Sequence, residues 1–197
     1  YPPTEIWRQP VGAGWSAFSV LGDRAVTQEQ RGELECVVCY DLLDGKVAWL
    51  HSDKARFAEV LGGVGPRATP TLTASKVFSL GATGILNCLN LSDGSPLWSL
   101  NLLEKYGCSN QSWGKSSSPL LADGKVIVCV GKGSCPGLIA FSQEAGDEIW
   151  SSPGSNPGYS SPALFILASR PQVLILNNTV LNSHSLDDGA ILWGHPW

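Results

Sequence analysis

Residues 81–98 read GATGILNCLNLSDGSPLW, and two folds compete for them. Gly81 and Gly84, ahead of an apolar run, fit a phosphate-cradling turn that feeds a helix. They fit a β-meander equally well, because Asp93-Gly94 between apolar runs is a hairpin signal. The rest of the chain decides between the two.

Aligned on Gly-x-x-x-Trp, the sequence falls into register four times: Gly45 with Trp49, Gly94 with Trp98, Gly146 with Trp150 and Gly189 with Trp193. The tryptophans are 49, 52 and 43 residues apart, and Trp7 stands 42 residues before the first. A repeat of that length is the size of a propeller blade. Eight residues before each glycine the chain is apolar, at Val37, Leu86, Leu138 and Leu181. Six before it the residue is small, at Cys39, Cys88, Ala140 and Ser183, and four before it a turn-prone polar residue stands at Asp41, Asn90, Ser142 and Ser185. Upstream, Ala68-Thr69-Pro70, Ser117-Ser118-Pro119 and Ser160-Ser161-Pro162 each open an apolar run, with Ser16-Ala17-Phe18 in the equivalent place. A proline needs no ladder donor at the first residue of a strand. Gly81 lies thirteen residues before its motif glycine, as Gly32 and Gly133 do in their copies. It therefore belongs to the turn grammar of the repeat, and the nucleotide-loop reading falls.

Each copy predicts four short strands, in the third at about 119–122, 125–130, 138–141 and 148–151. Helical periodicity is confined to 55–61, a short stretch ahead of a glycine run. The expected fold is all-β, a single β-propeller region over 1–197 with four-stranded antiparallel blades at 16–52, 66–101, 116–152 and 159–197. Glu5-Ile6-Trp7-Arg8 has the form of an outer strand without inner strands, so 1–15 reads as the outer strand of a preceding blade and a linker.

With 43% apolar residues the chain can build a sizeable core, and a formal charge of -4 without a Lys/Arg cluster argues against a nucleic-acid partner. No apolar run approaches the roughly 18 residues of a membrane span. The chain begins at Tyr1 and contains no methionine, which reads as a processed or truncated product from which any targeting segment would have gone with the start.

Small residue, apolar strand, Asp-Gly and tryptophan, repeated at this period, resemble the tryptophan-docked blades of pyrroloquinoline-quinone (PQQ)-type propellers. The chain is similar to those related to the outer-membrane assembly lipoprotein BamB. The resemblance implies that Trp49, Trp98, Trp150 and Trp193 dock between adjacent blades beside Gly45, Gly94, Gly146 and Gly189. It implies that the four blades belong to a seven- or eight-bladed ring, and that the protein sits in the periplasm or cell envelope. It also implies a non-catalytic scaffold whose partner is another protein or the remainder of the propeller. A second expectation is a quinoprotein dehydrogenase using PQQ with calcium; the adjacent cysteine pair of such alcohol dehydrogenases is absent here. A third is the sensor ectodomain of a receptor or kinase.

No catalytic, cofactor or metal residue is expected from the sequence itself. Cys36 and Cys39 form a C-x-x-C, but Cys39 and Cys88 occupy the small-residue column, so packing explains them. Cys108, Cys129 and Cys135 are able to pair in an oxidising compartment, with connectivity left open. His51, His184 and His195 show no metal-ligand spacing. Binding residues concentrate on loops of a rigid scaffold. The expected partner face therefore comprises the second-to-third turns, at Gln28-Glu29-Gln30-Arg31, Ala82-Thr83 and 132–136, with the long blade connections. In those connections Arg56, Arg67, Trp113, Lys115 and Tyr159 are the residues suited to a contact. Arg56 and Arg67 are equally suited to pairing with Glu29 or Glu59.

Overall fold

A computed structural model describes residues 3–131, 135–153 and 158–197. The first blade is β1 (Ser19–Leu21), β2 (Arg24–Arg31), β3 (Leu34–Asp41) and β4 (Val47–Asp53). A two-stranded hairpin, β5 (Ala58–Glu59) and β6 (Gly63–Val64), precedes the second blade of β7 (Thr71–Leu72), β8 (Lys76–Leu80), β9 (Ile85–Asn90) and β10 (Pro96–Asn101). After α1 (Leu102–Lys105) the third blade runs β11 (Leu120–Ala122), β12 (Lys125–Cys129), β13 (Leu138–Ser142) and β14 (Glu148–Ser151). The fourth is β15 (Ala163–Leu167), β16 (Arg170–Leu176), β17 (Val180–Ser185) and β18 (Ile191–Pro196). Each blade is a four-stranded antiparallel meander in chain order, and together they form part of a propeller that does not close. The stretch 55–61 is not helical, since its apolar residues belong to the β5–β6 hairpin; the helix lies instead at Leu102–Lys105, capped by Asn101.

The small-residue column has a direct cause. Across the third and fourth strands Cys39 faces Trp49, Cys88 faces Trp98, Ala140 faces Trp150 and Ser183 faces Trp193. The register shifts beside each of these pairs, so a bulge swings the indole out of its own blade. Each swung indole then meets the turn of the following blade. Trp49 Nε1 donates to the Leu91 carbonyl at 2.8 Å, Trp98 to Gln143 at 3.3 Å and Trp150 to Leu186 at 3.1 Å. The acceptor is always three residues before the motif glycine. At Gly94, Gly146 and Gly189 the backbone has φ of +73°, and a Cβ there would stand 2.4 to 2.9 Å from the docked indole. Glycine is required twice over, for the backbone conformation and for the approach of the ring.

A second seam runs nearer the start of each blade. Ala17 N–H donates to Thr69 Oγ1 at 3.0 Å, Thr69 N–H to Ser118 Oγ at 2.9 Å and Ser118 N–H to Ser161 Oγ at 2.9 Å. The hydroxyls ahead of each first-strand proline thus clasp blade to blade. Between the two seams the core is shared across blades: Val37, Cys39 and Trp49 pack with Val77 and Leu89, and Ile127, Ala140 and Trp150 pack with Val173 and Ile175. Cys36, Cys39 and Cys88 are buried free thiols within this packing.

The ends differ from the seams. Trp7 docks on the first blade as the others do, with Nε1 2.8 Å from the Leu42 carbonyl and its ring against Gly45, although Glu5–Arg8 forms no strand. Trp193 has no following turn among the described residues; it is 37% exposed and donates to Gln172 Oε1 of its own blade.

His184 lies on the seam of the last two blades, its Nδ1 3.1 Å from both Ser152 Oγ and the Gly189 carbonyl. Its Nε2 is buried without a partner among the described residues, and burial holds the imidazole below its ordinary pKa of 6.5. A base depressed in the folded state contributes stability above its unfolded pKa and loses it as pH falls below that value. The urea midpoint should therefore drop more steeply from pH 7 to pH 5 in wild type than in His184→Gln. Glu35, pushed up by burial, gains stability on acidification but does so in both proteins, so the difference reports His184. Parallel curves would refute the assignment.

Candidate functional site

Several residues expected on a partner face are committed to the interior. Gln28, Glu29 and Gln30 are not in a turn: β2 continues to Arg31, and all three are buried. Gln28 Nε2 donates to the Ala68 carbonyl of the second blade at 2.8 Å, and Gln30 Nε2 to the Ala55 carbonyl at 2.8 Å. The Glu29 carboxylate accepts from Gly12 N–H at 2.9 Å and Arg31 Nε at 2.5 Å. Arg31 itself stays at the surface in that ion pair. Lys115 is 1% exposed, its Nζ donating to the Val130 carbonyl and, at 3.3 Å, to Gln111 Oε1. Burial lowers its ammonium pKa. It ties its connection to blade three from the interior.

Ala82 is likewise buried, and Thr83 beside it is half-buried. Glu35 of the first blade accepts the Ala82 N–H at 2.8 Å and the Thr83 hydroxyl at 3.3 Å, while the Ala82 carbonyl accepts from Asn110 Nδ2 and Lys115 N–H. This turn is a clip between blades. Residues 132–134 of the third turn lie outside the described residues. Arg56 remains exposed and pairs with Glu33 at 3.7 Å, not with Glu29 or Glu59.

Arg67, Trp113 and Tyr159 are brought together, in a cleft of about 360 Å³ where four blade connections converge. The connection into the first blade adds Trp15, the connection carrying β5–β6 adds Glu59, Leu61 and Gly62, and the next adds Ser116. The Trp113 and Tyr159 rings lie 5.1 Å apart at 38°. Trp15 Nε1 donates to the Gly62 carbonyl at 2.6 Å and pins the hairpin tip, whose Leu61 is 81% exposed. Arg67 stacks over Phe57 at 4.6 Å and reaches Glu59 Oε1 at 3.3 Å and the Gly63 carbonyl at 3.0 Å. Of the two pairings open to Arg67 it therefore makes the one with Glu59.

Trp15 and Leu61 escape a sequence reading that treats 1–15 as an outer strand and linker and gives helical periodicity to 55–61, while Glu59 enters it only as a pairing candidate for an arginine. One signal was nevertheless present. Trp15, Arg67, Ser116 and Tyr159 stand in one repeat column, each directly before the small-residue pair that opens a blade. That column faces the cleft in all four copies.

A calcium-held quinone requires a set of oxygen donors. The one carboxylate of the cleft, Glu59, already accepts from Leu61 N–H, Gly62 N–H and Arg67. Among the described residues no three His, Cys, Asp or Glu side chains converge, so these residues do not fit such a group.

A family model described as outer membrane protein assembly factor BamB matches residues 35–197. No curated protein matches at the level of sequence. Among solved structures, BamB from Moraxella catarrhalis superposes with a TM-score of 0.66 at 19% identity, covering 90% of this chain and 50% of that one. Quinohemoprotein alcohol dehydrogenase from Comamonas testosteroni gives 0.69 at 14% identity, covering 94% of this chain and 35% of that one. The quinohemoprotein alcohol dehydrogenase ADHIIG from Pseudomonas putida HK5 gives 0.66 at 15%, covering 95% and 34%. The chain thus spans half or less of the length of these neighbours, and at such identities they share its fold alone.

Proposed function

This chain belongs to the BamB-like family of PQQ-type propellers, and from that premise we propose that it is a non-catalytic scaffold that binds a protein partner in the cell envelope. The observation that carries this reading is the cleft. Four separate connections deliver Trp15, Leu61, Trp113 and Tyr159 to one site, with aromatic and apolar surface left open to solvent. Aromatic anchors in an open site are the usual core of a protein-binding surface. Among the described residues the ionic groups lining the cleft are Arg67 and Glu59, which neutralise each other as a pair. An envelope location is supported by the disulfide between Cys108 and Cys135, since such bonds persist in oxidising compartments. Among the described residues no helix is long and apolar enough to cross a membrane.

The dehydrogenase neighbours supply the competing reading of a PQQ-dependent dehydrogenase. The two readings separate in one assay. With PQQ, calcium, an alcohol or aldose and an electron-accepting dye, the scaffold reading expects no dye reduction above the protein-free blank. Saturable turnover would overturn it.

A further inference from the structure

The outward faces of the first and fourth blades are the two halves of one further seam. In the seam between the first and second blades, Val26 and Val37 are buried against Val77, Leu89 and Leu91. Leu174 and Leu181 hold the same columns in the fourth blade, on the face that strand pairing gives to Ser183 and Trp193. With no following blade among the described residues, both stay only half-buried. The first blade carries the receiving half. Tyr40 and Leu42 stand five and three residues before Gly45, as Leu89 and Leu91 stand before Gly94. With Phe18 and Val20 they line an apolar groove of about 460 Å³. Trp7 fills the indole's place there, at the Leu42 carbonyl and at Gly45 with its φ of +72°, from a segment that forms no strand.

We propose that these faces join between two copies of this chain. Trp193 of one copy displaces Trp7 of the other from the Leu42 carbonyl and Gly45, and two such joints close a two-fold ring of eight blades. This goes beyond the scaffold reading and does not depend on it. Both halves of the seam stand in one sequence, so a second copy is complementary at each face. Its size also fits, because the chain superposes on half the length of the Moraxella catarrhalis BamB. At the turn one indole replaces another, so that bond is exchanged and not gained. Association is driven instead by burial of Phe18, Val20, Leu174 and Leu181, all at least partly exposed in the single chain. The joint lacks one element of the inner seams. Ala17 holds the place of Thr69, Ser118 and Ser161 without their hydroxyl, so the incoming Ser161 N–H meets no clasp. The joint is therefore weaker than an inner seam, and reversible.

Sedimentation velocity over a concentration series of the chain reads the joint, with near-ultraviolet circular dichroism to confirm that each variant is folded. Wild type should pass reversibly from monomer to dimer as concentration rises. Trp193→Ala, at a half-exposed position that contributes little to the fold, should weaken the dimer at least about thirtyfold, the loss of an interface anchor. Trp7→Ala vacates the groove and should act in the opposite sense, tightening the dimer. Ala17→Ser, at an exposed residue, restores the clasp and should tighten it about fivefold for each joint, the worth of one hydrogen bond. Arg56→Ala, outside both faces, should match wild type. Should Trp7→Ala fail to fold, Trp193→Ala and Ala17→Ser still demand shifts of opposite sign. Wild type and Ala17→Ser that both stay monomeric, association that survives Trp193→Ala, association weakened in a folded Trp7→Ala, or growth past the dimer would each overturn the proposal.

Discussion

Trp150→Ala is expected to cost about 3 to 5 kcal/mol of folding stability, the range for deleting a buried aromatic from a packed site. Trp193→Ala should cost roughly 1 kcal/mol or less, the ordinary effect at a half-exposed position. The two residues occupy the same column of the repeat, pair across with a small residue and follow the same bulge. They differ in what lies beyond. Trp150 is 7% exposed, donates to the Leu186 carbonyl and presses on Gly189, whose missing Cβ would lie 2.4 Å from the ring. Removing it opens a cavity between two blades and leaves that carbonyl without its donor. Trp193 donates only within its own blade, to Gln172. Urea denaturation of the two variants against wild type measures the contrast. Equal losses would mean that the indole stabilises its own blade and not the seam. Gly189→Ala supplies the reciprocal check, because it strains a backbone at φ +73° and intrudes on the same ring, so its loss should resemble that of Trp150→Ala and fail to add to it.

The repeat was legible because each constraint acts over a short span of chain. A small residue faces the tryptophan ten residues on, and a glycine admits the tryptophan of the blade before. Either requirement restricts residue type, and together they write the same spacing four times. Polar burial was not legible. Gln28, Glu29 and Gln30 look like a turn because nothing in their neighbourhood shows that Ala68, Gly12 and Ala55 will supply partners from distant segments. Glu35 is similar: a carboxylate in a strand reads as solvated until the Ala82 and Thr83 turn is folded over it. The cleft lay between these cases. Its column was visible in the alignment, but Trp, Arg, Ser and Tyr share no chemistry. Only convergence of the connections shows that they share a place.

Reduction of the Cys108–Cys135 bond should have the second large effect, and it joins stability to the cleft. The bond spans 27 residues of chain and fastens the 106–118 connection to the segment entering β13. Loop-closure entropy alone predicts that opening it costs about 3.5 kcal/mol. Denaturation in dithiothreitol, and of Cys108→Ser without reductant, should show that loss in equal measure. Cys129 is the internal control. It is a buried free thiol with its pKa pushed up to about 11 by burial, so Cys129→Ser should change stability without removing the response to dithiothreitol. The same connection carries Trp113 five residues beyond Cys108. Near that ring the connection is otherwise held by non-covalent contacts, among them Asn110 and Lys115 to the Ala82 carbonyl, Gln111 to the Gly158 carbonyl and the Trp113–Tyr159 ring pair. Hydrogen exchange along 108–115 should therefore accelerate on reduction while the strands of the first blade, joined to it by no covalent tie, keep their protection. A reduced protein with unchanged denaturation midpoint would show that the clip at Ala82 already fixes the loop and that the disulfide adds nothing to it.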